Sequence, residues 1–225
     1  APDYKHNSKL YTSFYNTLSS QNKEVTYPEV GQEYEFGEGS FTVLGPTQIR
    51  DDSNNNSVVV RLDYGDTSFL FTGDAESKEE KDIIAANEDL YCDVLSVGHH
   101  GSASSTSWDF LEAVLPEYAV ISCGVNNSYG HPDPDTIEKL ESIEAQIFRT
   151  DLQGNIIAIS DGETITWNNV PSNGEVLYAA DFVSVKEEPN DTSSTVGELG
   201  PGNQIQVLNR NDNDWATIVF NGATT

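Results

Sequence analysis

The sequence predicts an α/β region over residues 1–168 followed by a small all-β region over residues 176–225. Three observations predict this. Helical and strand patterns alternate as far as Trp167, the mark of a sheet covered by helices. Beyond it, short apolar runs are separated by turn residues, as in small β domains. Between them, Asn168 to Gly174 is polar, rich in turn formers and aperiodic, which makes residues 169–175 a linker.

The elements follow in order. Leu10, Phe14, Tyr15 and Leu18 recur at helical spacing and predict a short amphipathic helix. Phe41 to Leu44 is a strand stopped by Gly45-Pro46. Asp51 to Asn56 is a loop, and the apolar runs 57–64 and 68–72, separated by Gly65-Asp66, predict a hairpin. Residues 77–87 read as helix, 93–97 as a buried strand, 108–114 as helix and 118–122 as strand. Asp133 opens a helix to about residue 143, with Pro134 in its first turn. Strands at 146–149, 155–160 and 163–167 close the region. A hairpin followed by strand–helix–strand units predicts a mixed sheet.

Composition narrows function. The 225 residues carry 11 Lys+Arg against 37 Asp+Glu, a formal charge of −26. Such a surface repels nucleic-acid phosphates and anionic lipid, which argues against sequence-independent binding to either and against DNA uptake. No apolar run approaches the ~18 residues of a membrane span, and no basic start precedes an apolar stretch to mark a signal peptide. The absence of Met predicts a processed chain or a fragment. The two Cys are too few for a disulfide framework and predict reduced, buried thiols, which leaves the compartment open.

Chemistry concentrates at three predicted strand ends. Thr72-Gly73-Asp74 closes the hairpin, His99-His100-Gly101-Ser102 follows the strand at 93–97, and Gly130-His131-Pro132 precedes the helix at 133. Ligands collect at the carboxyl ends of strands in α/β sheets. A carboxylate with imidazoles suits zinc, manganese or iron. Taken singly, Gly73-Asp74 also reads as an ordinary turn and His131 as a turn residue. Two adjacent imidazoles in a Gly/Ser loop have no packing purpose, and the joint pattern carries more than its members. His6 reads as solvated.

The succession FLFTGDAE, DVLSVGHHGSASSTS, PEYAVISCGVNNSYGHPDPDTIEKL and FRTDLQGNI resembles the metallo-β-lactamase-like hydrolase domain of ComEC-type competence proteins and their secreted relatives. The resemblance runs over residues 1–168. It implies an αββα sandwich with a metal site at the edge of its sheets, two divalent metals (zinc, or manganese), and hydrolysis of phosphodiesters. Carried over by position, Asp74 is the acid shared between the metals. The His99-His100 pair holds the last metal-binding histidine; His99, first off the strand, is slightly favoured. His131 would contact substrate or transfer a proton. Ser102, Ser104 and Ser105 would bind substrate or merely make the loop flexible. Arg149 would pair with Asp151 or face an anionic substrate.

The chain also departs from that pattern. The superfamily's HxHxDH motif is absent, since His6 is the only histidine before His99. Residues 1–45 resemble the segment that follows the half bearing HxHxDH. The chain therefore reads as the C-terminal half of the sandwich, with the N-terminal half supplied by a separate polypeptide or missing from an incomplete piece. Half a sandwich leaves a sheet face bare, so residues 1–168 are expected to be stable only against that partner.

The stretch from Tyr178 to Thr225 resembles a bacterial SH3-like domain. Phe182 to Lys186, Val196-Gly197-Glu198-Leu199, Gly202 and Trp215 hold its pattern, and its closing strand after Asn221-Gly222 is expected to be missing. Trp215 would pack the barrel or bind a ligand. The resemblance implies a cell-wall polymer as partner and an extracellular or wall-associated location. The leading expectation is thus an extracellular metal-dependent phosphodiesterase or nuclease. The alternative is a non-catalytic surface protein that binds through the SH3-like module.

Overall fold

The computed structural model describes residues 2–87, 89–173, 175–210, 215–220 and 223–224. Helix α1 (Lys9–Ser20) is capped by Ser8, whose hydroxyl accepts from the Tyr11 N–H. Strands β1 (Glu33–Phe36), β2 (Gly39–Gly45), β3 (Val59–Tyr64) and β4 (Thr67–Phe71) form an antiparallel run. Helix α2 (Ser77–Ala86), strand β5 (Val94–Ser96), helix α3 (Trp108–Val114), strand β6 (Tyr118–Ile121), helix α4 (Pro134–Ser142) and strand β7 (Gln146–Arg149) follow. The seven strands form one sheet in chain order, antiparallel from β1 to β4 and parallel from β4 to β7. This is the mixed α/β sheet that the alternating pattern predicts.

Period-two alternation divides the sheet into two unlike faces. Leu70, Leu95, Ala119, Ile121 and Ile147 pack with Ile83 of α2, Phe110, Leu111 and Val114 of α3, and Leu140 of α4 in one core. Their neighbours Phe69, Phe71, Val94 and Val120 point the other way. With Phe36, Leu62 and Trp167 they line an open, largely apolar groove of about 580 Å³.

The last two strands of the α/β region form a sheet of their own. They do not extend the main sheet but pair with each other as β8 (Ala158–Ser160) and β9 (Ile165–Trp167). Trp167 of this hairpin stacks on Phe148 at 4.1 Å. Its turn is docked by the Asp66 N–H donating to the Gly162 carbonyl at 2.6 Å. The approach requires glycine, since a Cβ on Gly65 (φ +56°) would lie 2.2 Å from that oxygen. Helix α1 forms as predicted but buries no residue, and Leu10 is 81% exposed.

Two acids of α2 are buried in opposite ways. Glu80 accepts from the backbone N–H groups of Thr106 and, at 2.9 Å, Ser107. It thereby fixes the start of α3, where the Ser107 hydroxyl accepts from the Phe110 N–H. Glu80→Ala leaves two N–H groups without their acceptor and opens a cavity, and is expected to cost about 3 kcal/mol in urea unfolding. A loss below about 0.5 kcal/mol would show that the loop does not depend on this carboxylate. Glu79 has no such partners.

Beyond residue 174, strands β10 (Glu175–Tyr178), β11 (Val183–Lys186), β12 (Thr195–Leu199), β13 (Gln204–Arg210), β14 (Ala216–Phe220) and β15 (Ala223–Thr224) follow. Strands β10, β13, β14 and β15 make one sheet, and β11 pairs with β12. Val185, Val207 and Ile218 form a small core, with Leu199, Ile205 and Ala216 against them. Trp215 is half-buried. Strand β15 pairs with β14 where the sequence leads one to expect the closing strand to be missing; Asn221 and Gly222 lie outside the described residues.

Both cysteines are free thiols, Cys92 buried and Cys123 half-buried. Burial pushes the Cys92 thiol up to about 12, which makes it inert at neutral pH. No helix among the described residues is long and apolar enough to cross a membrane.

Candidate metal and hydrolytic centre

The parallel strands β4, β5 and β6 deliver three loops to one edge of the sheet. Asp74 follows β4, the His pair follows β5, and His131 lies between β6 and α4. Backbone bonds join the loops. The His99 N–H donates to the Gly73 carbonyl at 2.9 Å, and the Asp133 N–H to the Gly101 carbonyl at 2.8 Å. Gly101 (φ +82°) permits the second junction, because a Cβ there would sit 2.7 Å from Cβ of Pro132.

Both histidines occupy the left-handed region, His99 at φ +49° and His100 at φ +59°. Consecutive non-glycine residues there cost of order 1–2 kcal/mol each, and such strain gathers at functional sites. The two rings diverge, with centroids 6.3 Å apart and planes 58° apart. His100 turns to Asp74, with Nε2 3.7 Å from Oδ1, while its Nδ1 lies 2.7 Å from the Ser122 carbonyl. A backbone carbonyl accepts only from N–H, so His100 carries a proton on Nδ1 and turns the Nε2 edge of its ring to the carboxylate. Both side chains are about half exposed.

His99 turns to Glu76 and Ser104, its Nδ1 lying 3.4 Å from Glu76 Oε1 and 3.3 Å from Ser104 Oγ. Its ring centroid is 5.7 Å from that of His131. His131 stacks on the exposed ring of Tyr129, 5.8 Å away with planes 10° apart. Asn127 shapes this loop: its Oδ1 accepts from the His131 and Tyr129 N–H groups, and its Nδ2 donates to the Gly124 and His131 carbonyls.

Asp74, His99, His100 and His131, singled out in the sequence, thus gather at one edge. Ser102 and Ser104 accompany them, their hydroxyls 3.0 Å apart. Ser105 does not: it is 1% exposed and its hydroxyl donates to the Ala75 carbonyl at 2.7 Å, so it supports the loop from inside and cannot reach a substrate. Arg149 makes a two-pronged pair with Asp151, Nε to Oδ1 at 3.1 Å and an Nη to Oδ2 at 2.7 Å. That pair holds the Asp151 carboxyl below its ordinary range and uses the guanidinium structurally. Glu76, Asn54 and Asn55 were not singled out from sequence. The only signal was the acid that ends FTGDAE and the asparagine run before β3.

Do these residues fit a metal? The His100 ring and the Asp74 carboxylate, which face each other, are suitable donor types. Zinc takes four ligands, yet among the described residues no group of three or more His, Cys, Asp or Glu is placed to hold an ion. The described residues supply one edge of a coordination shell and no complete one.

Comparison with known proteins finds similar chains. ComE operon protein 3 of Bacillus subtilis (strain 168) is 38% identical over 117 residues, 52% of this chain and 15% of that protein. Competence protein ComA of Neisseria gonorrhoeae is 38% identical over 125 residues, 55% of this chain and 18% of that protein. Recombination protein 2 of Haemophilus influenzae is 36% identical over 133 residues, 58% of this chain and 16% of that protein. The chain thus covers less than a fifth of the length of each of these curated relatives. The family model of the metallo-beta-lactamase superfamily matches residues 2–125, which span β1 to β6 and the loops bearing Asp74 and both histidines of the pair. With the mixed sheet and its strand-end cluster, that match means that the chain belongs to the metallo-β-lactamase superfamily.

Proposed function

We propose that this chain supplies the Asp74–His100 edge of a metal-dependent hydrolase acting on phosphodiesters. The observation that carries the reading is the convergence of Asp74, His99, His100 and His131 on one sheet edge. Its superfamily usually binds divalent metals, and zinc or manganese suits a carboxylate–imidazole donor set. Asp74 and His100 would hold the cation, which would supply Lewis acidity. His131, beside His99 and exposed in part, would hold a proton near the leaving oxygen. Ser102 would offer a hydroxyl to substrate.

The remaining donors come, on this reading, from a layer that covers the open sheet face and carries HxHxDH. Two features support it: the incomplete shell among the described residues and the apolar groove of about 580 Å³ on the sheet face opposite the helices. The relatives' names place those proteins in competence and recombination. By analogy we assign this chain to the cell envelope, outside the cytoplasm, with residues 1–168 as the hydrolase part. Residues 176–225, after the linker at 169–175, would be an SH3-like module gripping wall polymer.

The test uses the protein isolated in its native form. Metal analysis is expected to find about two equivalents of zinc or manganese, and bis(4-nitrophenyl) phosphate is expected to be cleaved and the cleavage stopped by a chelator. Metal-free protein with no turnover after zinc or manganese is restored would overturn the reading in favour of a non-catalytic binding protein.

A further inference from the structure

We propose that Tyr129 is the specificity-determining residue of the centre: its ring is a stacking platform for a flat aromatic substituent, so that small phosphodiesters carrying a nucleobase or another arene are the preferred substrates. The proposal rests on the hydrolase reading for the bond that is cleaved, while the stacking is testable without turnover. Tyr129 is 82% exposed. A lone exposed aromatic is common and decides nothing by itself. What sets this ring apart is that it is held in place. It lies against the His131 ring, centroids 5.8 Å apart and planes 10° apart. The Tyr129 and His131 N–H groups both donate to Asn127 Oδ1, at 3.2 and 3.0 Å, and Asn127 Nδ2 donates to the His131 carbonyl at 2.6 Å. One side of the ring is supported and its backbone is fixed, while most of its surface meets solvent. The space beside it is open, since nothing lies within 4 Å of where a Cβ on Gly130 would stand.

The platform continues the site. The rings of His100, His99, His131 and Tyr129 form a row, with successive centroids 6.3, 5.7 and 5.8 Å apart. Tyr129 therefore stands one ring spacing from His131 and no more than two from His99. An arene joined to a phosphate through a sugar or a short linker spans such an interval. Charge does not offer another hold. The chain carries a formal charge of −26, which opposes an anionic substrate. Arg149, the cation that the sequence offers for such a substrate, is engaged by Asp151. Stacking is indifferent to that field, because it needs only the face of a flat ring, and every nucleobase has one. The same field opposes a long polyanion more strongly than a short diester. The substrate class that fits both observations is a small phosphodiester with an aromatic group near its phosphate.

Two activated diesters isolate the contribution of the ring: bis(4-nitrophenyl) phosphate, which has aromatic substituents, and bis(2,2,2-trifluoroethyl) phosphate, which has none. In the native protein, Tyr129→Ala is expected to raise KM for the aryl ester about tenfold with kcat within about twofold, and to leave both constants for the alkyl ester within about twofold. Tyr129→Phe keeps the ring and is expected to match wild type on both. Equal losses on the two esters, or no loss on the aryl ester, overturns the proposal. Binding is read without turnover from the ¹H signal of the Tyr129 ring, assigned by its loss in Tyr129→Phe. Adenosine 5′-monophosphate and phenylphosphonate are expected to move that signal upfield, and methylphosphonate is expected to leave it in place. The tighter of the first two tells a nucleobase from a smaller arene. No movement with either overturns the proposal. If the ring signal moves but no diester is cleaved, the hydrolase reading fails and the stacking platform stands.

Discussion

Asp74→Ala is expected, on the proposed function, to lower phosphodiester turnover of the native protein by about three orders of magnitude while leaving its stability within about 0.5 kcal/mol of wild type. The two halves of this expectation have one cause. Among the described residues the Asp74 carboxylate is paired only with His100, at 3.7 Å, and it is nearly half exposed. What holds its loop is backbone: the Asp74 N–H donates to the Ser57 hydroxyl at 3.1 Å, and Gly73 accepts from His99. Removing an exposed side chain that bonds nothing structural is nearly free. Losing a donor that stabilises charge at the reacting centre costs several kcal/mol of the barrier, and each 1.4 kcal/mol is tenfold in rate. Steady-state cleavage of bis(4-nitrophenyl) phosphate, with metal content and urea unfolding on the same samples, checks both. Near-wild-type turnover would remove Asp74 from the chemistry. A large stability loss would make it a structural residue.

The elements that position this site were legible because local signals and packing agree there. Helix α3 runs from Trp108 to Val114 as predicted, since Ser107 caps it and Phe110, Leu111 and Val114 share the buried face. The hairpin β3–β4 turns at Gly65-Asp66, and Pro134 enters the first turn of α4 behind the Asp133 cap. The strand-end positions of Asp74, the His pair and His131 follow from those elements. Residues 155–167 read as two strands, but the sheet they join is not legible locally. Ile157 and Ile159 are exposed, so their apolar pattern reports strand character without saying what the strand pairs with. Their partner is fixed by the Gly65–Gly162 approach, a contact across about 100 residues that no local pattern encodes. The bonds that the Asn54 and Asn55 amides donate to the Glu76 carboxylate were hidden for the same reason, because an asparagine run reads as a loop whatever its amides bond.

The acids of α2 were equally opaque, and the larger stability effect lies there. Nothing in Ser77-Lys78-Glu79-Glu80-Lys81 separates its two glutamates from a solvated helix start, yet both are 1% exposed. Glu80 is satisfied by the loop before α3. Neither oxygen of Glu79 has a hydrogen-bond partner. Burial therefore pushes the Glu79 carboxyl from 4.5 up to about 8. The Ser57 N–H and the Arg50 guanidinium favour its anion without bonding it, and the Arg50 charge is taken up by its ion pair with Asp82. In the folded protein Glu79 thus keeps its proton between about pH 4.5 and 8, where the unfolded chain has released it. The unfolded state binds fewer protons across that window, so stability falls as pH rises through it and the loss is complete only above about pH 8. A shift of this size corresponds to on the order of 5 kcal/mol. Glu79→Gln keeps the volume and cannot ionise. It is expected to match wild type near pH 4.5 and to exceed it by several kcal/mol at pH 9, with the difference opening between. Urea unfolding of both proteins at pH 5, 7 and 9 reads it. Parallel pH profiles would mean that water or a shifted Arg50 solvates the carboxylate; a steeper fall in the variant would mean that Glu79 is stabilising as the anion.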